Sequence, residues 1–248
     1  MSVDYSDLNN NRLVVSADNE TITYTRKGLP PSIFDFLIDY RLRAIKVMVG
    51  EQEDKDNVSV TASMLHSPPM ATRGSPGFFP VNSAAKGIGF VPKQKYLKKW
   101  VETYESLINE AIEKGEDTNR EARLAALLSF YASNEEIDPR VLGTIELFGL
   151  RSWRNMQLEP RVSILYNANY RASSGRPRYI SFEVRGIIEI IPKNSLRWRW
   201  QRNIHDIFHV RDTQERRSGD WPVAVLNIHV TEVIDKRPFA TASQEIIE

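Results

Sequence analysis

The sequence predicts a mixed α+β protein, with an N-terminal hairpin and helix, a helical middle segment and a C-terminal, mainly antiparallel sheet. Three observations carry this. Residues 94–131 repeat apolar side chains at the i, i+3, i+4, i+7 spacing of amphipathic helices. Residues 162–191 and 222–234 carry strand-like apolar runs separated by turn clusters. No regular strand–helix–strand alternation, which would signal a parallel sheet, runs through the chain.

Taken in order, Arg12 to Ser16 and Thr21 to Thr25 alternate and carry Val, Ile, Thr and Tyr, so they predict a hairpin turning at Ala17, Asp18, Asn19 and Glu20. Ser32 is placed to cap a helix, with Asp35 as a short capping-box partner. Phe34, Leu37, Ile38, Leu42 and Ile45 keep helical spacing, and Gly50 is a stop signal. Val58 to Met64 reads as a strand. Residues 66–92 contain Pro68, Pro69, Pro76, Pro80 and Pro92 with Gly74, Gly77, Gly87 and Gly89, so they read as a long Pro/Gly-rich arm or loop. Phe78, Phe79, Ile88 and Phe90 make this segment apolar, as expected of an arm that orders on a neighbouring subunit or partner. The alternative is a loop packed over its own domain.

Gln94 to Lys114 predicts a helix with Leu97, Trp100, Val101, Tyr104, Leu107, Ile108 and Ala111 on its apolar face and Gly115 as its stop. A second helix is expected from Thr118, with Glu121 completing a capping box. Asn134 then opens a short helix that ends near Asp138 and Pro139. Val162 to Tyr170, Arg178 to Ile191, Leu196 to Trp200 and Pro222 to Ile234 read as strands, and the run from Gly186 to Ile191 suggests a central one. No Pro/Gly-rich linker separates the acidic helical segment from this sheet, so a single α+β domain over residues 1–248 is expected.

The apolar fraction of 41% and charged fraction of 26% are ordinary for a folded protein. No apolar run approaches the roughly 18 residues of a membrane span. The first residues are acidic and polar rather than signal-like, which points to cytoplasm, nucleus or the inside of a particle. With no cysteine, disulfides, thiol catalysis and Cys-ligated zinc are excluded.

A net charge of +1 conceals a division along the chain. Residues 151–217 hold fourteen Lys/Arg against six Asp/Glu, whereas residues 99–146 hold five against eleven. This pattern suggests self-association, or an acidic face turned away from an anionic partner. On a strand, Arg197 and Arg199 would share one face, and Leu196, Trp198 and Trp200 the other. Arginine can grip phosphate with two parallel hydrogen bonds. Arg151, Arg154, Arg161, Arg176, Arg178 and Arg202 could extend such a track. Trp198 and Trp200 would either stack on bases or form the core side of the sheet.

His205 and His209 copy the spacing of an H-E-x-x-H metal helix, with Asp206 in the glutamate position. Aspartate is one methylene too short for that role. No third ligand stands out either: His229 lies on an expected strand, and Asp212 and Glu215 are surface residues. No metal and no cofactor are therefore expected. Gly87-Ile88-Gly89 lacks the rest of a dinucleotide fingerprint, and Ser173-Ser174-Gly175 lacks the Gly-x-Ser-x-Gly frame.

The functional expectation is a non-enzymatic, homo-oligomeric structural or assembly protein, coat-, nucleocapsid- or matrix-like. It would bind nucleic acid or an anionic membrane surface through the basic sheet. The alternatives are a metal-dependent hydrolase or nuclease using His205 and His209, and a protein–protein interaction module.

Overall fold

The computed structural model describes residues 1–17, 20–74, 79–171, 177–210 and 221–237. Strands β1 (Ser2–Asp4), β2 (Arg12–Ala17) and β3 (Glu20–Thr25) form a small antiparallel sheet. Helices α1 (Pro31–Met48) and α2 (Val58–His66) follow, then three short strands, β4 (Pro69–Arg73), β5 (Val81–Ala85) and β6 (Ile88–Pro92). Next come α3 (Gln94–Lys114), α4 (Arg120–Ala132), β7 (Ile137–Glu146) and α5 (Arg151–Leu158). The last elements are β8 (Arg161–Arg171), β9 (Pro177–Ile190), α6 (Leu196–Asp206) and β10 (Ala224–Asp235). A seven-stranded antiparallel sheet has the order β5-β4-β8-β9-β10-β7-β6. The α+β class is therefore as the sequence predicts. Among the described residues, no helix is long and apolar enough to cross a membrane.

The hairpin, α3 and the three long C-terminal strands fall where the periodicity places them. β9 is central, between β8 and β10. At Gly186 a Cβ would come within 2.7 Å of the His229 carbonyl oxygen, so the close approach of β9 to β10 there requires glycine.

Four expectations change. Val58–His66 is helical, because burial of Val58, Thr61, Ala62 and Leu65 follows the helical period and outweighs the β-branched composition. Much of residues 66–92 lies in β4, β5 and β6 rather than in an arm. Phe90 is buried, edge-on to Phe34 and Tyr131, while Phe79 is 87% exposed. Residues 137–146 form β7 instead of ending a helical segment. Leu196–Trp200 opens helix α6 rather than forming a strand. The caps differ as well. α1 starts at Pro31, with Ser32 already inside it, and no side chain caps α4; the Thr118 hydroxyl instead donates to the Lys114 carbonyl at 2.9 Å. The turn residues 18–19 and 172–176, with Phe78, Arg176, Asp212 and Glu215, lie outside the described residues.

A large buried apolar cluster runs from Leu29 to Val233 and draws on α1, α3, α4, α6 and most strands of the large sheet, and a small one joins Ile191, Trp198 and Val225. The chain after β3 is tied to that sheet by Lys27 N–H to the Val230 carbonyl (2.7 Å) and Leu29 N–H to the Pro139 carbonyl (2.9 Å).

Candidate ligand cavity

The basic stretch is folded inward. Ser195 Oγ accepts the Trp198 N–H at 3.3 Å and caps α6. The helix turns Trp200 fully into the core (0% exposed), where its ring packs on Tyr104 and Phe130 and its indole N–H donates to the Phe90 carbonyl at 3.0 Å. Trp198 is also buried, at 5% exposed. Neither ring is open to a base.

Several described arginines of this stretch are matched by carboxylates within the chain. Arg199 grips Glu105 of α3 with two hydrogen bonds, and Arg197 donates to Glu189 at 2.7 Å. Arg202 pairs with Asp206 at 3.1 Å, and Arg161 with Glu159. Arg151 and Arg154 are exposed on α5, and Arg178 lies on β9. One of these pairs, Arg199–Glu105, joins the basic stretch to the acidic segment, and the other three neutralise arginines within the stretch itself.

The structure brings a different set of residues together. A cavity of about 510 Å³ lies between α1, α2, α4, β6, β7 and α6. Ala44, Ile45, Met48, Ala62, Leu127 and Ile204 supply much of its apolar wall. Glycine shapes the floor. Gly89 faces Gly143 across the β6–β7 pair, and the Gln201 side chain lies where a Cβ on Gly143 would stand. The glycines thus let Gln201 and Ile204 of α6 pack closely on this patch of sheet.

Its polar groups converge near one peptide. Arg41 reaches across from α1 and donates to the Ile88 carbonyl at 2.8 Å. The His66 ring hydrogen-bonds to the backbone of the same residue. The charge of Arg41, and then burial, lower the His66 pKa to about 3, so its imidazole is neutral near pH 7. His66 is counted as exposed by surface area, but it lines the cavity, so that surface opens into the pocket. Thr144, the register partner of Ile88, also lines the cavity; its hydroxyl is buried and has no hydrogen-bond partner among the described residues.

His205 and His209 line the same cavity, with their rings stacked at 4.6 Å between centroids. His205 Nδ1 lies 3.1 Å from Asp206 Oδ1. Among the described residues no group of three or more His, Asp or Glu is placed to hold a metal ion.

A second polar cluster lies on the sheet. His229 Nε2 is 2.9 Å from Glu189 Oε2, which also accepts from Arg197. Burial would raise the Glu189 carboxyl, but the His229 bond and the Arg197 charge outweigh it and hold its pKa below the usual value. The Tyr5 ring lies tilted against His229, 5.7 Å between centroids, and burial raises its phenol. These residues do not line the cavity, so this cluster ties the N-terminal sheet to the core.

The sequence held signals for the cavity that the motif patterns did not use. Arg41 falls inside the apolar stripe of α1, between Ile38 and Ile45, where a charge needs a reason. Gly87 and Gly89 sit close together ahead of an apolar run. His66, Thr144 and Gln201 carried no local signal.

No family model matches the chain, and no curated protein matches it. Three solved structures are similar in part. HupZ of Group A Streptococcus matches with 13% identity over 71% of this chain and 90% of its own, at a TM-score of 0.35. HutZ, the heme storage protein from Vibrio cholerae, matches with 9% identity over 72% and 92%, at 0.37. A candidate pyridoxamine 5′-phosphate oxidase from Listeria innocua matches with 10% identity over 73% and 95%, at 0.35. The burial of Trp198 and Trp200 and the pairing of Arg197, Arg199 and Arg202 with carboxylates of this chain overturn the expectation of an assembly protein built on a basic sheet. Nothing among the described residues supports the metal-hydrolase alternative at His205 and His209.

Proposed function

We propose that this chain is a small-molecule-binding protein whose ligand enters the cavity between α1, α2, α6 and the β6–β7 pair. The observation that carries this reading is the cavity itself, about 510 Å³, largely apolar, with Arg41, His66 and Thr144 among its polar groups. That is the size and character of ligand sites in general. The buried Thr144 hydroxyl supports it. An unsatisfied polar group of this kind costs about 1–3 kcal/mol, and a ligand that bonds to it recovers part of that cost.

The test uses Nile red, a neutral apolar dye whose emission shifts when it leaves water. Ser63 lines the cavity from α2 but is exposed, so Ser63→Trp should fill the entrance without disturbing the core. The wild-type protein should bind the dye saturably, and Ser63→Trp should lose binding at unchanged melting temperature. Equal binding by both proteins would end the proposal.

Self-association belongs with this reading as a proposal. Phe148 and Leu150, in the turn after β7, and Val223, just before β10, are exposed apolar residues, and the Val223 side chain reaches Gly149 in the same turn. Sedimentation velocity of the wild type and Phe148→Ser would show whether this surface joins copies of the chain.

A further inference from the structure

We propose that the ligand of this cavity carries a carboxylate, that Arg41 receives it, and that the Thr144 hydroxyl donates a further hydrogen bond to it. The proposal rests on the cavity being a ligand site and adds the chemical class of what fills it.

Arg41 is less fully matched than the other inward-turned arginines: Arg26 and Arg123 also lack a carboxylate, but each donates three hydrogen bonds to carbonyl or amide oxygens. Arg161, Arg185, Arg197, Arg199 and Arg202 each meet a carboxylate. Arg41 meets none among the described residues, and its one hydrogen bond goes to the Ile88 carbonyl. Among the described residues, no Asp or Glu lines the cavity beside it. A partly buried cation in an apolar wall is unfavourable unless it is paired, and pairing restores most of what desolvation takes away. The single bond to Ile88 anchors the guanidinium and leaves the rest of its donor fork free for a planar, two-oxygen acceptor.

The surroundings set the charge of that acceptor. His66 is held to the same peptide and remains neutral, so it adds no second positive charge beside Arg41. One cation facing one apolar chamber matches a monoanion better than a doubly charged phosphate. Thr144 stands across the β6–β7 pair from Ile88, so its unpartnered hydroxyl lies on the strand next to the guanidinium's anchor. With Arg41 and Thr144 set by the Ile88–Thr144 pair and Ala44, Ile45, Leu127 and Ile204 in the wall, the lining suits an apolar body with one acid group.

The experiment compares pyrenebutyric acid with its methyl ester, which has the same body without the charge. Binding of each is followed by pyrene fluorescence in wild type, Arg41→Gln, Arg41→Lys, Thr144→Val and Ser63→Trp, with melting curves to confirm folding. Wild type should bind the acid about tenfold or more tighter than the ester, as charge-assisted hydrogen bonds predict. Arg41→Gln should abolish that preference while keeping ester binding. Arg41→Lys should restore part of it, and Thr144→Val should weaken the acid more than the ester. Should Arg41→Gln fail to fold, the Lys and Val variants carry the same comparison.

Equal affinity for acid and ester in wild type, with both lost in Ser63→Trp, would overturn the carboxylate and leave the cavity reading intact. An acid preference that survives in Arg41→Gln would overturn the assignment to Arg41. Binding of neither probe, or binding untouched by Ser63→Trp, would remove the cavity reading and this inference together.

Discussion

Arg41 and His66 show how a single charge sets the chemistry of its neighbour. The ordinary histidine pKa is near 6.5; in the fold the charge of Arg41, together with burial, brings it to about 3. The unfolded chain takes a proton on His66 as pH falls through about 6.5, whereas the folded chain does not until about 3. His66 should therefore cost the folded state stability as pH drops from about 6.5 toward 3, with no further loss below. Arg41→Gln should raise this pKa and reduce the loss. Proton NMR of the His66 ring reads it directly, and a wild-type midpoint near 6.5 would refute it. At this scale the sequence named the right residue types in the wrong context. It identified Arg197 and Arg199 as cations, but not Glu189 and Glu105 as their partners, because those lie 8 and 94 residues away in the chain.

The elements show where periodicity suffices and where it does not. α3 was legible because its apolar residues repeat across 21 positions. Leu196–Trp200 was not, because five alternating residues fit a strand while the helical stripe of Trp200, Ile204 and Ile207 begins at their end. The Ser195 cap and the burial of Trp200 decide for the helix. Removing the cap with Ser195→Ala should cost about 1 kcal/mol. Trp200→Ala should cost about 3–5 kcal/mol, because it empties the space among Tyr104, Phe130 and the Phe90 peptide. Urea denaturation measures both, and a smaller cost for Trp200 than for Ser195 would contradict this account. Segment 66–92 hid its strands for another reason. β4 pairs with β8 and β6 with β7, and an edge or short strand with prolines has no local signature until its partner arrives.

At the scale of the whole molecule we infer that residues 1–248 unfold as one unit, a single α+β domain. The buried cluster joins helices from the first half of the chain to strands from the second, and β10 pairs on both sides with strands from different regions. Tryptophan fluorescence, reporting Trp100 and Trp200 in the core, and far-UV circular dichroism should give coincident denaturation curves. Two separated transitions would divide the chain into independent parts. The charge division along the sequence finds its meaning here too. α3 and the basic α6 are packed against each other, and Glu105 of α3 meets Arg199 of α6, so part of the contrast is neutralised internally.

By itself the sequence determined the α+β class, the hairpin of β2 and β3, the long amphipathic α3 and the β8–β9–β10 sheet centre. Each of these rests on neighbours close in the chain: an apolar stripe repeating along a helix, or strands separated by a turn. The inward course of the basic stretch, the strands within 66–92 and the cavity were decided only by tertiary structure. Arg41, His66, Ile88 and Thr144 come from α1, α2, β6 and β7, and no local period links them. Their meeting depends on the pairing of Ile88 with Thr144 and on helices packed over glycine-floored strands, a juxtaposition that exists only once distant segments have come together.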